Sequence, residues 1–223
     1  PSKFGIGNFY FKPEKSQTHR AVVKPINAEP FSAFLPRIHD QGVVMTVRRA
    51  DSTLDIGVQT NLKSNESFTL FVHSGQKVAF VNALQGGQVA EGFKVPLSNL
   101  GDGISHLTLF NSESKPLCER LVFKRPSKLL NLSLSSNKPV YSPREKLIVS
   151  LHQSNNSQAV SGDFSISVYK ADLPGKLNED ILSSLWLTSE LKGRVEDPAW
   201  YFNNPLEEAT DNLMLTHGWR RFS

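Results

Sequence analysis

The sequence predicts a mainly β protein made of two antiparallel β-sandwich domains, the second of which carries a C-terminal helical extension. Three observations lead to this prediction. Apolar side chains alternate in short runs, as Leu54, Ile56 and Val58 do. Turn residues separate these runs at intervals of roughly eight to twelve residues, a spacing typical of an all-β sandwich or barrel. After Gly175 the apolar period changes from that of a strand to that of a helix.

The first predicted domain spans residues 1–126 and is built of short strands. Its first strand, at residues 4–11, is expected to pair with the second, at residues 20–26. Residues 29–40 contain Pro30 and Pro36, so they are predicted to cross between strands without forming one. Pro96 cannot donate a ladder hydrogen bond, and its strand is therefore expected at a sheet edge. The remaining strands are predicted at residues 43–47, 54–58, 68–73, 77–81, 93–97, 104–110 and 117–124.

The second predicted domain spans residues 127–175. Its central stretch, NKPVYSPREKLIVSL from Asn137, holds a bend fixed by Pro139 and Pro143 and then an alternating strand. Two further strands are predicted at residues 130–134 and 164–168, where apolar and polar residues also alternate. Three strands that share one apolar side would make most of a second sandwich.

The helical extension, residues 176–223, is predicted to contain two helices. The first follows an N-cap at Asn178 and stops at Gly193, and the second runs from Asn204 to Gly218. The extension has five Lys and Arg against eight Asp and Glu, so anionic lipid would repel it. We therefore expect both helices to pack on the second sandwich and to bury an apolar stripe of Ile181, Leu185, Leu206 and Leu213.

Composition is that of a globular protein. Of the 223 residues, 39% are hydrophobic and 21% are charged, and no apolar run is long enough to cross a bilayer. The sequence starts and stops as an excised fragment does, so we expect the natural chain to continue beyond Ser223. The net charge of +4 is spread over many strands without a basic cluster among aromatic residues, so nucleic-acid binding is not expected.

No stretch carries a convincing catalytic or metal-binding pattern. The six histidines lie one per segment, and no pair has the spacing of a metal site. Cys118, the only cysteine, excludes an internal disulfide and is expected to pack beside a strand. Glu207 and Glu208 lie in the first turn of a predicted helix, where the helix dipole explains them. We predict neither enzymatic activity nor a bound cofactor or metal.

The best candidate for an interaction surface is an aromatic loop formed by Trp200, Tyr201 and Phe202. Aromatic platforms bind sugars and peptides, although packing of the loop against its own domain explains the same residues. Arg220 and Arg221 would add cations that bind a carboxylate or phosphate. The alternative is that these two arginines complement the negative end of the last helix.

Four pieces of sequence carry a family resemblance. They are GIGNFYFKPEK from Gly5, PLCERLVF from Pro116, KPVYSPREKL from Lys138, and the pair LTSELKGRVEDPAWYF from Leu187 and DNLMLTHGWRRF from Asp211. Together they resemble the macroglobulin-like domains of large surface proteins from Bacteroidetes-type bacteria. Alpha-macroglobulins that trap proteases carry a thioester in a Gly-Cys-Gly-Glu-Gln context. Cys118 lies in Pro-Leu-Cys-Glu-Arg-Leu, so thioester chemistry is not expected.

The resemblance implies part of a larger exported protein built of seven-stranded, immunoglobulin-like sandwich modules. In similar proteins such modules are sometimes followed by a region like the plug of TonB-dependent outer-membrane receptors. We therefore expect a non-catalytic spacer or docking module in the periplasm or at the outer membrane, without direct membrane insertion. Its partners would be other domains of the same parent protein, an outer-membrane protein, or a peptide or glycan. The alternative function is the ligand-binding part of a TonB-linked outer-membrane uptake system.

Overall fold

A computed structural model describes residues 3–14, 17–62, 66–85, 92–155, 158–159, 162–166, 168 and 179–218. The chain is mainly β, with several antiparallel sheets and a short helical part near the C-terminus, which confirms the predicted class. It divides into two compact units. The first combines Pro1–Arg125 with Asn178–Ser223, and the second is Pro126–Leu177.

The first unit contains a hairpin and two larger sheets. The hairpin pairs β1 (Arg20–Val23) with β2 (Phe31–Phe34). A three-stranded sheet has the order β3-β4-β7, and a four-stranded sheet has the order β6-β5-β8-β9. The strands are β3 (Val43–Arg49), β4 (Thr53–Thr60), β5 (Phe68–Ser74), β6 (Lys77–Leu84), β7 (Phe93–Pro96), β8 (Gly103–Phe110) and β9 (Pro116–Lys124).

These two sheets pack face to face around a common core, an arrangement consistent with a β-sandwich. Each strand contributes alternate side chains, as the period of two requires. Strand β7, with Pro96, lies at a sheet edge as predicted. The core consists of Leu54, Ile56, Val58, Phe68, Leu70, Val72, Phe93, Val95, Leu100, Leu107, Leu109 and Val122.

Strands β8 and β9 are buried on both faces. Leu107 and Val122 point into the first core, whereas Ile104, Leu121 and Phe123 point the opposite way. The helical segment packs on this second face. It comprises α1 (Ile181–Trp186), α2 (Pro198–Asn203) and α3 (Glu207–His217). The second core so formed also contains Leu187, Leu191, Val195, Tyr201, Phe202, Ala209, Leu213 and Met214.

This packing corrects the predicted position of the helices, which were expected on the second sandwich. The predicted apolar stripe is also wrong at three of its four positions, because Ile181, Leu185 and Leu206 are exposed and only Leu213 is buried. The physical reason is that β8 and β9 present apolar residues on two faces. A second apolar face needs its own cover, and the helical segment supplies it.

The beginning of the chain also departs from the prediction. Residues 6–14 form no strand, and β1 pairs with β2 rather than with residues 4–11. Strand β2 lies inside residues 29–40, where Pro30 and Pro36 suggested a crossing segment. Both prolines stand outside β2 and leave its ladder intact.

The helix boundaries differ in detail. The predicted N-cap Asn178 lies outside the described residues, and Asp180 caps α1 by accepting a hydrogen bond from the Ser183 amide. Helix α1 ends at Trp186, before Gly193. Helix α3 begins at Glu207, three residues after the predicted start, and Gly218 caps its C-terminus as predicted.

The second unit is a sheet in the order β10-β11-β12, with β10 (Asn131–Ser136), β11 (Val149–Asn155) and β12 (Gln158–Ala159). Strand β12 replaces the strand predicted at 164–168, whose described residues are not in a strand. The bend between β10 and β11 is held by side chains. Tyr141 donates to Asn137 Oδ1 at 2.6 Å, and the Ser142 amide donates to Glu145 at 2.9 Å.

Candidate interaction surface

The predicted aromatic loop is a short helix. Asp197 caps α2 by accepting a hydrogen bond from the Trp200 amide, and Pro198 occupies the first turn, where its missing N–H costs nothing. Tyr201 and Phe202 are 1% and 6% exposed. They belong to the second core and present no surface to a ligand, which corrects the interpretation of these residues as an exposed platform.

Trp200 is half-buried, and an N-terminal residue packs against it. The ring centroid of Phe4 lies 5.5 Å from that of Trp200 and 5.7 Å from that of Tyr201. On the other side, Phe202 contacts Phe123 of β9 edge to face at 6.2 Å. These aromatic residues hold the helical segment on the sheet, which is the packing alternative left open by the sequence.

Arg220 and Arg221 lie outside the described residues. The arginines that the structure does place near the helices are Arg49, Arg120 and Arg125, which we call the arginine cluster. Arg125 donates to the Tyr201 and Phe202 carbonyl oxygens at 3.1 and 3.2 Å.

Each arginine of the cluster also reaches α3. Arg125 donates to Glu207 at 2.8 Å and to Thr210 at 2.7 Å, while Arg49 pairs with Glu207 at 2.9 Å. Arg120 donates from one nitrogen to both carboxylate oxygens of Asp211 at 2.7 Å. Charged hydrogen bonds of this kind orient the helix on the strand ends. Local sequence patterns do not reveal these contacts, because the partners lie at least 76 positions apart.

A histidine cluster, in which His106 is buried, forms a second polar contact between sheet and helices. His73 and His106 are register partners on β5 and β8, and their rings stack at 4.8 Å. His106 Nδ1 lies 3.4 Å from Glu119, and its Nε2 lies 3.5 Å from Glu190 of the helical segment. Thr108 donates to Glu119 at 3.3 Å.

The histidine cluster was missed because the two histidines are far apart in sequence and only strand pairing joins them. Among the described residues, no three His, Cys, Asp or Glu side chains come together in a way that could hold a metal ion. What the cluster can do is link Glu119 of the sheet to Glu190 of the helical segment through one imidazole ring.

Cys118 lies on β9, half-buried against the first core. Burial raises the pKa of its thiol from 9.0 to about 11, so the nucleophilic thiolate is scarce near neutral pH.

Two sets of large apolar side chains remain exposed. The first lies near the N-terminus, on residues 9–11 and on the β1–β2 hairpin, whose residues are almost all exposed. A two-stranded hairpin of this kind is only marginally stable by itself. The members of this first exposed set are Phe9, Tyr10, Phe11, Val22, Val23, Ile26, Phe31 and Phe34.

The second exposed set lies on the sheet of the second unit. Leu132 and Leu134 of β10 share one face with Leu151 and Val149 of β11, because register partners point the same way. All four are exposed. The opposite face carries serine, asparagine and histidine, so the sheet has the one-sided apolar pattern of half a sandwich.

Comparison with family models, with curated proteins and with solved structures finds no match for this chain. No helix within the described ranges is both long and apolar enough to cross a membrane.

Proposed function

We propose that this chain is a non-catalytic structural and interaction module of an exported cell-envelope protein, where it acts as a spacer or docking surface. In this proposal the chain consists of two macroglobulin-like sandwiches and lies in the periplasm or at the outer membrane. Its partners are other domains of the same parent protein and an outer-membrane protein. The observation that carries the proposal is the one-sided apolar face of β10 and β11, which is exposed.

The topology of the first unit supports the macroglobulin-like assignment. Its two large sheets contain seven strands, the number that the resemblance implies for one module. Taken in chain order from β3, the strands follow the immunoglobulin constant-type arrangement with one change: the fourth strand, β6, pairs with β5 instead of β7.

Two observations on described residues with reactive side chains support a non-catalytic role. The His106 and Glu119 side chains are at most 8% exposed. The raised pKa of Cys118 leaves its thiol protonated near neutral pH. Incubation with esterase and peptidase substrates should give no turnover, and activity that disappears in His106→Ala would contradict this part of the proposal.

The docking surface is tested by binding of a hydrophobic dye. The chain should bind anilinonaphthalene sulfonate in native buffer, and Leu132→Gln with Leu134→Gln should reduce that signal without lowering the unfolding temperature. The exposed apolar residues near the N-terminus account for the signal that remains. Leu54→Gln serves as the matched control, because the same change in the first core should unfold the protein. A native chain that binds no dye, or a double variant that unfolds, would show that the face is already covered.

The alternative proposal is the ligand-binding part of a TonB-linked outer-membrane uptake system. The exposed aromatic residues Phe9, Tyr10, Phe31 and Phe34 favour it, since exposed aromatic rings are enriched in binding surfaces. The buried Tyr201 and Phe202 give it no support.

A further inference from the structure

A groove crosses the outer face of the three-stranded sheet. It has a volume of about 610 Å³, within the range of ligand pockets. Thr46 and Arg48 of β3, Asp55 and Gly57 of β4, and Lys94 of β7 line it. These strand residues alternate with the core residues of the same strands, so they point away from the first core.

Two residues that line the groove, Gly57 and Gly92, have no side chain. Gly57 lies in the central strand, and a Cβ atom there would come within 2.7 Å of Thr46 Oγ1. Gly92 has φ +66° and lies against β4, where a Cβ atom would be 2.4 Å from the Ile56 carbonyl oxygen. The two glycines allow these close contacts, of Gly57 with the Thr46 side chain and of Gly92 with the β4 backbone, and they add no side chain of their own to the groove.

The charges across the groove favour an anion. Arg48, Asp55 and Lys94 are register partners and form a row across the three strands. Arg48 pairs with Asp55 at 3.1 Å while its side chain stays 81% exposed, so much of the guanidinium is accessible. Lys94 is exposed and has no ion pair with any residue that the structure describes. The row thus carries two cations and one carboxylate, which suits a carboxylate-bearing ligand.

An exposed aromatic ring borders the same groove. Tyr10 is 96% exposed, so almost none of its ring packs on the protein. Its segment is nevertheless anchored. Asn8 donates to Asn212 of α3, and Phe4 and Ile6 pack against the second core. A ring that follows an anchored segment and is free on its faces is available to stack on an apolar ligand face.

We infer that this groove binds an acidic saccharide. A sugar ring stacks on Tyr10, its carboxylate pairs with Arg48 and Lys94, and its hydroxyls bond to Thr46 and Asp55. A peptide strand fits less well, because strand addition needs a free sheet edge and this groove crosses the sheet face. The inference is independent of the module proposed above, which stands even if the groove binds nothing.

The test is a titration of the full chain with hexagalacturonate, with neutral maltohexaose and hexaglutamate in parallel, followed by calorimetry. Hexagalacturonate should bind most tightly. Tyr10→Ala should weaken that binding by about tenfold, the effect expected for a lost ring contact. Tyr10→Phe should stay within about twofold, because the stacking face is kept.

Charge variants complete the test. Lys94→Ala and Arg48→Ala should each abolish the preference for hexagalacturonate over maltohexaose, whereas Lys77→Ala, an exposed lysine on the other sheet, should leave it unchanged. Equal or tighter binding of hexaglutamate would replace the saccharide with an acidic peptide and overturn the inference. Absence of hexagalacturonate binding, or full binding by Tyr10→Ala, would overturn it as well.

Discussion

The two units differ in how they cover a pair of leucine-bearing strands. The strands are β8 and β9 in the first unit and β10 and β11 in the second. Each pair is antiparallel and carries alternating leucines. In the first unit these strands are covered on both faces, by a second sheet and by the helical segment. In the second unit, Leu132, Leu134 and Leu151 are exposed. Alternation therefore indicates a strand and its apolar side, but it does not indicate which element covers that side.

The largest expected effect uses the same substitution in both regions. Leu213→Ala removes a fully buried side chain from the second core and should lower the free energy of unfolding by about 2–5 kcal/mol. Leu134→Ala removes a side chain that is 67% exposed and should change the free energy of unfolding by less than about 0.5 kcal/mol. Urea unfolding followed by far-ultraviolet circular dichroism measures both. A Leu134→Ala variant destabilised as much as Leu213→Ala would remove the contrast between the units.

The next effect compares polar contacts. Arg125→Ala should destabilise the first unit by about 2–3 kcal/mol, because it leaves the Tyr201 and Phe202 carbonyl oxygens without their donor. Lys138→Ala in the second unit removes an exposed ion pair with Glu145 and should leave the unfolding midpoint unchanged.

Two measurements separate these variants. Tryptophan fluorescence follows the first unit, since Trp186 and Trp200 belong to it, and should report the loss in Arg125→Ala. In Lys138→Ala, the pKa of Glu145 should rise, because the hydrogen bond from Lys138 is the main cause of its lowered value. An unchanged fluorescence midpoint in Arg125→Ala would show that the arginine cluster is not needed to hold the helices.

Much of the first unit could be predicted from the sequence. The strands around Val47, Ile56, Leu70 and Leu107 follow from local alternation and turn residues. The helical cover could not be predicted, because it depends on contacts such as Arg120 with Asp211, 91 positions away. The pairing of β1 with β2 could not be predicted, because Pro30 and Pro36 flank the short Phe31–Phe34 run and are typical of a crossing segment.

The candidate site was harder to predict than the fold. Trp200, Tyr201 and Phe202 were identified as aromatic residues of interest, but composition alone does not distinguish a platform from a core. Asp197 and Pro198 were the missed signal, since an Asx cap followed by proline marks a helix start. The groove beneath Tyr10 depends on which strands are neighbours, and this information is absent from local patterns.

Alkaline pH should weaken the first unit through Cys118. The pKa of Cys118 is about 11 in the folded chain, against an ordinary value of 9.0. Below pH 9 the thiol is therefore protonated in both the folded and the unfolded chain, and its contribution to the free energy of unfolding is complete. As pH rises from 9 through 11, the unfolded chain loses the proton first, and this contribution to stability is lost. At pH 10 the loss should be about 1 kcal/mol. The measurement is the unfolding free energy at pH 7 and 10 in the parent chain and in Cys118→Ser, and equal pH slopes would contradict the prediction.

The smallest expected effect is also the most discriminating. Replacing a tyrosine with phenylalanine should stabilise the first unit and destabilise the second. The hydroxyl of Tyr201 is buried and has no hydrogen-bond partner among the described residues, and burial raises the pKa of this group, with a further contribution from Glu196. Tyr201→Phe removes the unpaired hydroxyl and keeps the ring, so it should stabilise the first unit by up to about 1 kcal/mol. Tyr141 is the opposite case, since its hydroxyl donates to Asn137 and accepts from the Lys138 amide at 3.0 Å.

Tyr141→Phe should therefore destabilise the second unit by about 0.5–1.5 kcal/mol. Differential scanning calorimetry of both variants against the parent chain gives the two signs in one experiment. If Tyr201→Phe is destabilising, its hydroxyl has a partner and the second core is less apolar than the burial indicates. If Tyr141→Phe is neutral, the hydrogen bonds of the bend do not hold β10 and β11 together. The pairing of these two strands would then depend on their ladder hydrogen bonds.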